Sequence, residues 1–94
     1  MGNNLHISYD LKEPGKNYEA VIAKIKSVSG KWAKIHKSYW YVNSVFTAEQ
    51  TAAAVWTVMD ASDTVYVVDA SNNTAAWRNI GDEAAKYIID QWLK

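Results

Sequence analysis

The sequence predicts an α+β fold, a ferredoxin-like β-α-β-β-α-β sandwich followed by a C-terminal helix. Three observations lead there. Leu5 to Leu11 alternates as a strand, Thr64 to Asp69 reads as a short apolar strand of a sheet centre, and an aromatic and β-branched run at residues 32–46 is flanked by two stretches of helical spacing.

Each element follows from local chemistry. In the first strand Leu5, Ile7, Tyr9 and Leu11 share one side while His6, Ser8 and Asp10 share the other, because side chains alternate with period two. A polar row thus ends on the Asp10 carboxylate at the strand's C-terminal edge. In mixed α/β folds such an edge carries ligands or metals; Asp10 is equally suited to opening the loop through Lys12, Glu13, Pro14 and Gly15. Asn17 is a candidate helix cap, Tyr18, Val21, Ile22, Ile25 and Val28 recur at helical spacing, and Gly30 stops a helix running from about Tyr18 to Ser29. Trp32 to Lys37 and Tyr39 to Phe46 read as two strands, or one bent strand, with a kink at Lys37-Ser38.

Thr47 and Gln50 form a capping box, which starts a second helix with a buried stripe of Ala48, Ala52, Val55, Trp56 and Met59. Asp60 to Asp63 ends it. The strand Thr64–Asp69 follows, then loop chemistry at Ser71 to Thr74. Asp82, after Gly81, caps a third helix with the stripe Ala85, Ile88, Ile89 and Trp92.

Residues 1–94 make one domain, with a core over about 5–70 and a C-terminal loop and helix over about 71–94. With 49% hydrophobic residues and five tryptophans, the composition is that of a folded chain. Lack of cysteine removes disulfides, thiolate metal sites and thiol nucleophiles, and no apolar run is long enough to span a bilayer. We therefore expect a cytoplasmic protein with no membrane association. Net charge is zero, but the first 47 residues carry seven lysines against three acids, net +4, and the remainder three bases against seven acids, net −4. Such asymmetry either focuses a phosphate backbone on one side or makes opposite ends of two protomers attract.

In this topology two helices cover one face of an antiparallel sheet, and the other face carries His6, Ser8, Asp10, Tyr39 and Tyr41. An aromatic face of that kind stacks bases, as RNA-recognition domains do, or packs against a second sheet in a dimer. It also suits burial under a terminal helix, for which the third helix is the candidate.

The first strand ending Ser8-Tyr9-Asp10, the run Ile35-His36-Lys37-Ser38-Tyr39-Trp40 and the strand Thr64-Val65-Tyr66-Val67-Val68 resemble the small CRISPR-associated spacer-acquisition subunit family, an endoribonuclease-like group, and most of all its standalone SinR-like relatives. The resemblance spans roughly Leu5 to Ala70. It implies a ferredoxin-like homodimer in which the aspartate ending the first strand, here Asp10, lies near its symmetry mate and the pair holds a divalent metal. Tyr9, Lys37, Ser38 and Trp40 match family positions near that centre, although Tyr9, on the opposite strand face, reads as core.

Two carboxylates brought together by a two-fold axis, with waters and phosphate oxygens, make an acceptable magnesium site, with manganese as substitute, where one does not. Such a metal activates water for phosphodiester hydrolysis. The nucleic-acid contacts expected are Lys34, Lys37 and Ser38, and the interface residues Tyr39, Trp40 and Tyr41. Two departures stand against the family pattern: Arg78 is the only arginine, and the segment from Asn72 reads as a helix where a short strand-forming tail is expected. His6 with Asp10, and Asp69 as a neighbour of Asp10, are further candidate metal pairs.

Two functions follow. One is a metal-dependent endonuclease cutting RNA or DNA at paired Asp10 residues. The other is a non-catalytic dimeric adaptor or modulator, phage- or plasmid-borne, that binds a protein or nucleic acid. No nucleotide-cradling glycine loop or nucleophile elbow is present, since Gly2, Gly15, Gly30 and Gly81 stand alone.

Overall fold

The computed structural model describes residues 2–12 and 18–93. Its order is β1 (Asn3–Asp10), α1 (Tyr18–Val28), β2 (Lys31–His36), β3 (Tyr39–Ser44), α2 (Ala48–Trp56), β4 (Thr64–Asp69), β5 (Thr74–Arg78) and α3 (Asp82–Gln91). The strands form one antiparallel sheet in the order β2-β3-β1-β4-β5. The first four make the ferredoxin-like sandwich and β5 extends its edge. The Pro14-Gly15 turn and the Asn17 cap lie outside the described residues.

The alternation anticipated for β1 places the core. Leu5, Ile7 and Tyr9 are buried against Val21 and Ile25 of α1 and Ala48, Ala52 and Val55 of α2, with Trp40 and Val42 of β3 and Val65 and Val67 of β4 completing the cluster. Every alternate residue of β3 and β4 is buried, and those between are not. Helices α1 and α2 therefore cover one face only.

The ends of the elements have specific partners. Thr47 and Gln50 make the capping box, with the Gln50 amide 3.1 Å from Thr47 Oγ1 and the Thr47 amide 2.9 Å from Gln50 Oε1. Serines stop α1: Ser29 Oγ donates to the Ile25 carbonyl and Ser44 Oγ to the Val28 carbonyl, satisfying acceptors a helix end leaves free. Gly30 contributes by approaching β3, where its amide donates to the Asn43 carbonyl at 2.7 Å.

The sequence reading fails at β5. Local chemistry reads the segment from Ser71 as a loop leading to the last helix, and Ala75 and Ala76 carry little strand signal of their own. The structure pairs Thr74 to Arg78 with β4. Asp69 Oδ1 accepts the Ser71 and Asn72 amides, and Asn73 sits at φ 54°, so the stretch read as loop chemistry is a hairpin turn. The expectation that no strand follows Asn72 is thereby corrected.

Helix α3 forms, but the cap expected at Asp82 is corrected: Gly81, at φ 94°, holds the N-cap position with no side-chain cap bond, and Asp82 is the first helical residue, in the first turn with Glu83. The helix buries none of its residues; Ala85, Ile88 and Trp92 are half-buried along one stripe, and the Trp92 indole donates to Asn73 Oδ1 at 2.9 Å. Among the described residues no helix is long and apolar enough to cross a membrane.

Candidate functional site

The face of the sheet away from α1 and α2 gathers His6, Ser8, Asp10, Tyr39 and Tyr41 of the residues singled out in the sequence. Cross-strand pairing sets them in rows, since residues directly opposite each other share a face. One row runs Ala33, Tyr41, His6, Val68 and Ala75, and the next runs Tyr39, Ser8, Tyr66 and Trp77. His6 lies between two tyrosines, 5.8 Å from the Tyr39 ring and 5.6 Å from the Tyr41 ring. Tyr66 and Trp77 stack at 6.1 Å with 25° between planes. Tyr41 is held by its hydroxyl, which donates to Asn4 Oδ1 at 2.6 Å. Burial among these neighbours pushes the Tyr66 phenol above its usual pKa. The rings are half-buried, so part of each remains accessible. Tyr66 and Trp77 were not selected from sequence; Tyr66 stood in a strand whose face was unassigned, and Trp77 in the strand that was missed.

Asp10 ends this face at its rim, opposite Thr64. Its carboxylate is exposed and accepts from Lys12 Nζ at 2.9 Å, and that bond holds the Lys12 ammonium above its usual pKa. His6 is four residues away along an extended strand, about 13 Å, so the two cannot share a metal. Asp69 pairs with Leu5 at the far end of β1, about 17 Å from Asp10, and is buried on the covered side. Both pairings proposed from the sequence are corrected. Among the described residues no three histidine or acidic side chains converge. A lone carboxylate held by an ammonium does not fit magnesium within one chain.

The remaining expected residues divide between the covered side and the β2 edge. Trp40 is 2% exposed, a core residue on the covered face, which corrects its expected place at an interface; Tyr39 and Tyr41 lie on the opposite, open face. Lys34 pairs with Trp40 and so belongs to the covered side of the β2 edge. Lys37 reaches back over the Tyr18 ring, 4.1 Å from its centroid. Ser38 occupies the β2–β3 turn, where its carbonyl accepts the Tyr9 amide at 3.0 Å and its own amide meets His36 Nδ1 at 3.2 Å. Tyr9 is core, and its hydroxyl donates to the Lys37 carbonyl. Lys34 and Lys37 thus lie on the helix side of the sheet, away from the face of Asp10, while Ser38 lies beside the end of β1, next to Tyr9. Lys31, opposite Asn43, is the lysine of β2 on the aromatic face.

Sequence reasoning also missed Asp63, fully buried, which accepts the Lys12 amide at 3.1 Å and the Asp60 amide at 2.8 Å. Asn79 Nδ2 donates to its carbonyl at 2.9 Å, so three loops meet at one residue. Comparison with protein-family models, curated proteins and solved structures gives no match for this chain.

Proposed function

We propose that this protein is a non-catalytic cytoplasmic binding module whose open sheet face holds single-stranded nucleic acid by stacking bases on its rings. The observation that carries the reading is the set of rings on four adjacent strands, His6, Tyr39, Tyr41, Tyr66 and Trp77, with the small Ser8 between them. Every base offers a planar face, and stacking on an aromatic side chain contributes about 1–3 kcal/mol per base. Lys31 at one margin supplies a mobile positive charge for phosphate. A nuclease reading needs a second copy's Asp10 and release of Lys12, and the ring array serves binding without either.

The test is fluorescence anisotropy of labelled single-stranded RNA and DNA at low salt. Binding should weaken at least about tenfold in the double variant Tyr66→Ala/Trp77→Ala. Absence of binding by the wild-type chain to either polymer would end the proposal. The same preparations incubated with magnesium or manganese report on the nuclease reading: cleavage by the wild type that is lost in Asp10→Asn would establish it instead.

A further inference from the structure

The two edges of the sheet differ in charge and neither is covered along its backbone by another strand. At one end lies β2, all six of its residues exposed, including Trp32 at 47% and Ile35 at 59%. Lysines surround it: Lys31 and Lys34 within the strand, Lys37 in the following turn, and Lys26 of α1, whose ammonium sits 4.5 Å from the Trp32 ring centroid. At the other end lies β5. Its residues Thr74, Ala75 and Ala76 are small and uncharged, and Arg78 is engaged by Glu49. Helix α3 follows directly, is tied back to the β4–β5 turn through Trp92, and presents Asp82 and Glu83 to solvent, while Asp90 is engaged by Lys86 at 3.0 Å.

A monomer's exposed edge strand is ordinarily blunted by charge, proline or a bulge. The β2 edge has lysines and a bulge between Lys34 and His36, yet it keeps two large apolar side chains exposed. The β5 edge has no charged side chain free to repel an incoming strand. Charge complementarity selects the occupant, since the lysines of one end match the carboxylates of the other.

We propose that copies of this chain associate head to tail, the basic β2 edge of one against the β5–α3 end of the next. The pairing pattern fixes its geometry. β2 and β5 run in the same direction within one protomer, because each strand between them is antiparallel to its neighbours. A copy carried along the sheet without rotation therefore sets β2 parallel to the preceding β5 and keeps its aromatic face on the same side. Each copy adds five strands, a repeat of about 24 Å. The contact is heterologous and does not close on itself, unlike a two-fold dimer. It rests on edges and charges, and stands independently of what the aromatic face binds.

Sedimentation velocity and light scattering across protein concentration test this. The mass should rise with concentration past that of a dimer without a plateau, and return to the monomer in high salt. Lys31→Glu/Lys34→Glu and Asp82→Lys/Glu83→Lys should each be monomeric, at exposed positions that keep the fold, and a mixture of the two variants should associate again. A wild-type chain that stays monomeric at low salt, a mass that levels off at a dimer, or a mixture that fails to associate would each overturn the proposal.

Discussion

Asp63 and Asp10 are both carboxylates next to loops, and their surroundings give them opposite weights. Asp63 is buried and accepts two backbone amides, those of Lys12 and Asp60, in part-buried hydrogen bonds. Leaving a buried donor unsatisfied costs about 1–3 kcal/mol. Asp63→Ala should therefore lower stability by about 3 kcal/mol in urea unfolding, with Asp63→Asn losing less because an amide oxygen still accepts. Asp10→Asn, which breaks only an exposed ion pair, should change stability by less than about 1 kcal/mol. Equal losses at the two sites would refute this division. In the sequence Asp63 reads only as the end of a helix, since its partner Lys12 lies 51 residues away and proximity of that kind leaves no local signature. Asp10 was visible because strand periodicity alone assigns its face.

At the level of elements, legibility tracks how much of the signal is local. β1, β3, β4 and α2 carry alternation, helical spacing or a capping box within their own residues, and all are found where those patterns put them. β5 depends on its neighbour: with two alanines in five residues it becomes a strand because β4 offers a free edge and the turn at Asp69 to Asn73 returns the chain to it. Its omission hid Trp77, and with it part of the candidate site. The third helix is the converse case, a strong local pattern with little tertiary support. A helix of ten residues is marginal in water without packing. Hydrogen exchange should show the α3 amides opening well before those of β1, whose strand is paired on both sides. Protection in α3 equal to that of β1 would mean that the helix is held by contacts beyond those of one chain.

Across the whole molecule, one sheet separates two tasks by the pleat of its strands. The covered face holds the fold together and the open face is left for recognition, so neighbouring residues of one strand answer to different demands. Val67 and Val68 of β4 make the comparison direct. Val67 is fully buried against the helices, and Val68, half-buried, lies on the open face beside His6 and Ala75. The same truncation at adjacent positions holds side-chain chemistry and strand propensity nearly constant, so burial decides the difference. Val67→Ala should cost about 2–3 kcal/mol, from lost transfer energy plus the cavity left in a packed core. Val68→Ala, where solvent can fill the space and part of the side chain was already wet, should cost about 1 kcal/mol or less. Denaturant midpoints of the two variants read the contrast directly. If Val68→Ala proves as costly as Val67→Ala, the open face is a second core, filled by α3 or by another copy, and it is not available to stack bases.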